Sequence, residues 1–240
     1  AQPTTKAYKG LHKGRGWCML YKDVAHLKQQ VPELDVVSPM ISRWGGFAVC
    51  GDKKSQCSVK GLRADYAKVE EPKIYYGRYI NDMDILQKRR VCVLGKKVYK
   101  DLFPKGGDTC GSFIRLDSIY YKVVGVDYNT GNMSINGRAE ESVVMPITLM
   151  QQTYNNGDSI DLVSVTVKKG VTISSVTNRM REVIARAHII DPTDESAVKV
   201  FNTEVLFGML DSLFKGVNFL VWLVGIGTLF AGSIGVSNIM

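Results

Sequence analysis

Residues 217–240 contain no charged side chain, in a chain of 240 residues of which 22% are charged. Wound as a helix at ~1.5 Å per residue, the apolar body of this stretch covers the ~30 Å hydrocarbon thickness of a bilayer. A single membrane span attached to a polar globular domain is the arrangement that best accommodates both halves of that contrast. No proline interrupts residues 203–240. Upstream of the span, Leu206, Leu210, Leu213 and Val217 recur at helical spacing. A stalk and span forming one nearly continuous helix is therefore expected, and such a rod transmits displacement where a flexible linker does not.

Within the span, Gly227, Ala231 and Gly235 fall every fourth residue and share one helix face. Small residues at that spacing let helix backbones approach closely in lipid, so further membrane helices are expected to pack here.

The 216 residues before the span suffice for one large domain or two small ones. Positive charge exceeds negative by 8 and is spread along the chain, with basic clusters at residues 6–15 and 88–100. Neither cluster is interleaved with stacking aromatics, and no nucleic-acid module signature appears. A solvated basic surface explains them; contact with anionic lipid headgroups is the alternative. Residues 1–16 are polar and basic and do not form a secretion signal.

Five cysteines without a CxxC pair argue against a zinc site. Cys50 and Cys57 flank a polar tip at residues 51–56, so they are either a candidate disulfide across a hairpin or two free thiols on adjacent strands. His12, His26 and His188 stand far apart in unrelated contexts and read as surface residues. No HExxH, G-x-S-x-G or paired-carboxylate signature is present, and the glycine-rich runs at 10–17 and 106–111 lack the phosphate-loop pattern. A domain without catalytic residues, cofactor or metal of its own is the expectation, with a membrane-anchored enzyme of unrecognised type as the bland alternative.

Along the chain, strands are expected at residues 16–21, 34–37, 44–49, 58–62, 90–95, 112–116, 120–126, 143–146, 161–168 and 197–201. Helices are expected at 23–30, capped by Asp23, at 64–69 and at 96–103. Val163, Val165 and Val167 alternate on one strand face, and Ile173, Val176, Met180, Val183 and Ala187 mark an amphipathic helix. Strand and helix units at both ends, with a β-rich stretch between, indicate an α+β domain split by an inserted subdomain.

These residues resemble the MacB/FtsX-type permeases of ABC transporters, specifically the extracytoplasmic core domain and second membrane helix. The resemblance rests on Pro-Glu-Leu-Asp-Val-Val-Ser-Pro at 32–39, Gly-Arg-Tyr-Ile-Asn-Asp-Met-Asp at 77–84, Val-Cys-Val-Leu-Gly at 91–95 with Leu102-Phe103, and Val-Val-Met-Pro at 143–146. The closing Gly-Ser-Ile-Gly-Val-Ser-Asn-Ile-Met at 232–240 is similar to the family's G-G-I-G-I-M-N-I-M, from which Ser233, Val236 and Ser237 depart.

The resemblance implies a porter-like subdomain of two β-α-β pieces (1–80 and 152–205), a small β-rich Sabre-like insertion (81–151), and a stalk and transmembrane helix (206–240). It further implies a bacterial inner-membrane permease, with residues up to about 216 in the periplasm, a preceding span, and further spans beyond Met240. ATP would be bound by a partner subunit or fused domain, and a second permease copy would complete a dimer. Transmission of ATP-driven motion to export periplasmic cargo, through an adaptor and outer-membrane channel, is the function implied. LolC/LolE-like lipoprotein extraction and FtsX-like activation of a cell-wall hydrolase are the alternatives. Partner specificity would reside in the loop at 129–138 or the hairpin tip at 52–56, unless both are idle surface.

Overall fold

A computed structural model describes residues 2–129 and 137–237, and for Leu206 and residues 230–237 the backbone alone. Ten strands and six α-helices follow in the order β1 (Met19–Leu20), α1 (Tyr21–Gln30), β2 (Leu34–Cys50), β3 (Lys53–Leu62), β4 (Ile74–Gly77), α2 (Asp82–Leu86), β5 (Val91–Gly95) and α3 (Lys96–Leu102). Then come β6 (Phe113–Leu116), β7 (Ile119–Asp127), β8 (Ser142–Pro146), α4 (Ile147–Thr153), β9 (Ser159–Ile160), β10 (Leu162–Val167), α5 (Ile173–Ala187) and α6 (Thr203–Ser237). Helices and strands mix as an α+β fold.

Strand β2 organises the sheet. Its first part, through Met40, pairs antiparallel with β10, and its second part, from Ile41, pairs with β3. Pro39 lies in the part bonded to β10 alone, so its missing N–H leaves no gap in a ladder on the other side. Between Arg43 and Gly46 the strand carries one more residue than β3, a bulge at which Gly45 takes a φ of +77°. The expected strands at 34–37 and 44–49 are thus one continuous strand, because the partner changes while the backbone stays extended. Beyond β3 the order is β8, β5, β7, β4, with β6 bridging β2 and β7.

Helices α1 and α5 pack on the β10 side. Val176, Met180, Val183 and Ile184 of α5 are buried with Val24 and Leu27 of α1, while Ala187, expected in the apolar stripe, is exposed. Val163, Val165 and Val167 pack half-buried on this core, as their alternation indicated. Helix α3 buries Val98, Tyr99 and Leu102 against the inner face of the other strands. A smaller cluster gathers Met40, Leu62, Tyr66, Ile80, Val93 and Val144.

Several local expectations change. Residues 197–201 form no strand; Ala197 and Val198 are buried in a turn instead. Residues 64–68 form a 3-10 helix, and the polar break at 81–84 starts helix α2. Residues 130–136, the centre of the expected partner loop, lie outside the described residues.

The five described cysteines are free thiols, so of the two readings of Cys50 and Cys57 the structure has the pair of free thiols on adjacent strands and not the candidate disulfide. Cys50 sits opposite Lys53 and Cys57 opposite Gly46. The two are therefore four positions out of register, ~13 Å along the strands, beyond disulfide reach. Burial also pushes the Cys57 thiol up to about 12, suppressing the thiolate that oxidation requires.

The Gly-Arg…Asp segment at 77–84 has a clear physical basis. Gly77 has φ +71°, and a Cβ there would strike the Val124 carbonyl and Cys110 Sγ. Arg78 then reaches Asp84 with two bonds, Nη1 to Oδ2 at 2.6 Å and Nη2 to Oδ1 at 3.1 Å. Asn81 and Asp84 cap α2 reciprocally: Asp84 N–H donates to Asn81 Oδ1 (2.9 Å) and Asn81 N–H to Asp84 Oδ2 (3.1 Å). Burial raises the Asp84 carboxyl, but the Arg78 and Asn81 hydrogen bonds outweigh it and its pKa falls below 3.8.

Asp84→Asn is expected to lower stability by about 2 kcal/mol at neutral pH, a value discounted because Arg78 is partly exposed. Because the native pKa is depressed, this contribution is present above the unfolded value and is lost as pH falls through the native one. Urea titrations at several pH values should show the variant and parent converging in acid; a constant gap would contradict this assignment.

Candidate coupling junction at the base of the membrane helix

Helix α6 starts from a capped and tethered first turn. Glu204 N–H donates to Asn202 Oδ1 at 2.9 Å, so Asn202 caps the helix. Glu204 Oε2 in turn accepts from the Ile173 N–H at 3.0 Å, placing a carboxylate at the N-terminus of α5 where the helix dipole favours it. Asn202 Nδ2 donates to Ser174 Oγ at 3.0 Å. The start of the long helix is thereby joined to the first turn of α5.

The other end of α5 is held as firmly. His188 follows the helix, Ile189 takes the left-handed φ of +53°, and Ile190 N–H closes back on the Ala185 carbonyl at 2.8 Å. Arg15 Nη2 donates to the His188 and Ile189 carbonyls at 2.7 and 3.0 Å, a cation on the helix C-terminus. The His188 ring stacks at a tilt on Trp17, centroids 4.9 Å apart.

His188 Nε2 lies 2.7 Å from Asp23 Oδ2, which also accepts from the Leu20 N–H at 2.8 Å. Burial raises the Asp23 carboxyl; the His188 and Leu20 hydrogen bonds exceed that effect and hold it below 3.8. His188 is therefore largely buried and paired, not a surface residue. Asp23, expected as the cap of α1, is its third helical residue and bonds back to Leu20.

Asp194 ties the beginning of the chain to the segment that leads into α6. It is buried and accepts from Thr5 N–H and Oγ1 (both 2.7 Å), Lys6 N–H (3.2 Å) and Ala197 N–H (3.2 Å). Lys6 Nζ adds a bond to Thr193 Oγ1 at 2.6 Å, and Trp17 Nε1 reaches the Gln2 carbonyl at 2.8 Å. Burial raises the Asp194 carboxyl, yet the Thr5, Ala197 and Lys6 donors bring it below 3.8.

Of the expected stalk residues, Leu210, Leu213 and Val217 are exposed on one helix face; the side chain of Leu206 lies outside the described residues. At 100° per residue Phe207 and Phe214 join that face, while Glu204, Asp211 and Lys215 share another, about 120° round the helix. Asp211 and Lys215 pair at 2.6 Å. The helix over Thr203–Leu229 is long and apolar enough to cross a membrane. Every described side chain from residue 207 to 229 is exposed. Gly227 faces open space, and the side chains of Ala231 and Gly235 lie outside the described residues.

Sequence patterning does not single out Asp194, Asn202 or Glu204, and it marks Asp23 only as a helix cap. Their signal is local and polar, turn and cap residues beside a helix end, and it carries no periodicity.

Asp194→Ala removes four hydrogen bonds and should destabilise the domain by about 3 kcal/mol. Limited trypsin digestion should then cleave first at the basic run of residues 6–15. Resistance of that run in the variant would show that Asp194 does not hold it.

The chain matches known proteins over most of its length. Residues 4–183 match the MacB-like periplasmic core domain. A macrolide export ATP-binding/permease protein MacB from Wolinella succinogenes is 26% identical over 237 residues, 96% of this chain and 36% of that protein. The corresponding MacB of Rhodospirillum rubrum is 24% identical over 76% of this chain and 27% of that protein. The chain thus spans about a third or less of the length of these relatives.

Among solved structures, the periplasmic region of MacB from Actinobacillus actinomycetemcomitans superposes with a TM-score of 0.66 at 17% identity, covering 87% of this chain and 90% of that one. The extracellular domain of the noncanonic ABC-type transporter YknZ from Gram-positive bacteria gives 0.62 at 19%, covering 73% and 87%. Sequence match and shared fold agree, and the chain belongs to the family of MacB-like periplasmic core domains of ABC transporter permeases.

Proposed function

We propose that this chain couples ATP-driven motion in a bacterial inner membrane to work on periplasmic cargo, with α6 as the transmitting element. The observation that carries the reading is the latch of Glu204 on the α5 N-terminus, from which one helix continues without interruption to Ser237. Displacement of α6 along its axis would pass into α5, and through α5 into α1 and β2.

The ATP would be bound and hydrolysed by a separate subunit or fused domain. A second permease copy would cover the apolar face of α6, lipid the remainder. Names among the relatives, such as macrolide export ATP-binding/permease protein, support export over the lipoprotein-extracting and hydrolase-activating alternatives. An adaptor and an outer-membrane channel would complete the path. The division into 1–80, 81–151, 152–205 and 206–240 is a proposal about parts that move as units. Pairing of β3 with β8 favours moving the first boundary back toward Ile41.

Leu210→Pro breaks the stalk helix and should reduce transport by the reconstituted full-length permease to background, with ATP binding by its ATP-binding component unchanged. Glu204→Ala should lower transport by up to about tenfold, the equivalent of one charge-assisted hydrogen bond of ~1.5 kcal/mol. Undiminished transport in the proline variant would overturn mechanical coupling. Gly227→Leu combined with Gly235→Leu should loosen the dimer in detergent, read by cross-linking, without shifting the melting of the outer domain.

A further inference from the structure

At the far end of β2, four strands present an outer face whose described side chains are exposed, that of Val49 in part. Register places Val49 of β2 opposite both Lys54 of β3 and Arg115 of β6, and Arg115 opposite Tyr120 of β7. Phe113 stands opposite Lys122. Directly opposed residues in antiparallel strands share a face, so these side chains form one surface. The alternate residues Ala48, Ser55, Ile114, Leu116, Tyr121 and Val123 are buried toward α3.

The outer face is aromatic and cationic in alternation. Phe113 is 60% exposed, Tyr120 61% and Phe47 42%, and Lys54 Nζ lies 3.8 Å from the Phe47 ring centroid. Lys54, Arg115 and Lys122 are exposed, and no carboxylate occupies an outward position among residues 47–49, 54–56, 113–115 and 120–122. The nearby Asp117 is committed elsewhere, to Arg43 at 3.6 Å and to the Tyr154 hydroxyl at 3.0 Å. Exposed rings beside cations that form no ion pair among the described residues match a surface that is both apolar and negative.

Two occupants are disfavoured by the structure. A second copy would bring the same cations to the contact, in a chain with a net charge of +8. A bilayer entered by α6 is disfavoured because α6 leaves beside the N-terminus of α5, next to the Leu34 end of β2, and Phe47 lies thirteen residues further along that strand, at most ~43 Å.

We propose that this membrane-distal face binds an acidic, apolar segment of a partner protein. Its carboxylates would lie against Lys54, Arg115 and Lys122, and its apolar side chains against Phe47, Phe113 and Tyr120. This holds whether or not α6 transmits force.

The test is fluorescence anisotropy of the intact chain in detergent with a labelled short peptide of alternating Glu and Leu. Peptides of alternating Lys and Leu, and of Gln and Leu, serve as controls. The Glu peptide should bind, weaken with salt, and lose at least tenfold in affinity in Arg115→Glu with Lys122→Glu and again in Phe113→Ala, each variant keeping the parent melting temperature. Equal binding of all three peptides, or binding unchanged by the charge reversals, overturns the proposal. So does capture of phosphatidylglycerol vesicles through this face without peptide binding, or self-association abolished by Phe113→Ala. If the charge-reversed variant melts early, Lys122→Gln alone should still weaken binding severalfold, and no loss there counts against the site.

Discussion

Backbone pairing along β2 is the constraint on which the domain depends. A strand of seventeen residues extends ~56 Å, too long to remain flat against a single neighbour. It changes partner from β10 to β3 between Met40 and Ile41 and bends at the bulge by Gly45. One continuous strand therefore carries both the α1–α5 layer and the remaining strands with α3. Parts that the sequence pattern separates share a hydrogen-bonded spine, so a displacement entering at one end has a covalent and hydrogen-bonded route to the other.

Three carboxylates tie helix α5 and the segments at its two ends into the domain. Asp23 holds His188 behind α5, Asp194 holds Thr5 and Lys6 beside the turn at Ala197, and Glu204 holds Ile173 at the front of α5. Asp23 and Asp194 are buried carboxylates, and Asp23 bonds through Oδ2 alone, so removing a donor from either leaves a charge that burial penalises. Short polar bonds at both ends of one helix make α5 the element through which α6 would act on the sheet in the proposed coupling.

Much of this was readable from residue order where burial imposes a period. The valines of β10 and the stripe from Val176 to Val183 announced their faces, and the uncharged tail announced α6. What escaped was set by partners distant in sequence. Residues 38–43 fall between two expected strands because periodicity does not show that one extended strand changes partner from β10 to β3 there. The choice between a disulfide and two free thiols at Cys50 and Cys57 stayed open because loop length does not fix hairpin register, which places Cys57 opposite Gly46. Residues 197–201 have strand-like composition but are shaped by Asp194, whose donors come from the opposite end of the chain. The junction was invisible for the same reason: caps and buried acids carry no periodic signal.

Mechanical coupling requires the base of α6 and helix α5 to move as one body. Spin labels at Glu182 on α5 and Asp211 on α6, both exposed, measure this directly in the full-length permease with native cysteines replaced. A single narrow distance distribution, the same without nucleotide and with ATP trapped, is the result predicted. A broad distribution, or one that shifts with nucleotide, would mean that α6 swings independently of the domain and would contradict transmission through the Glu204 latch.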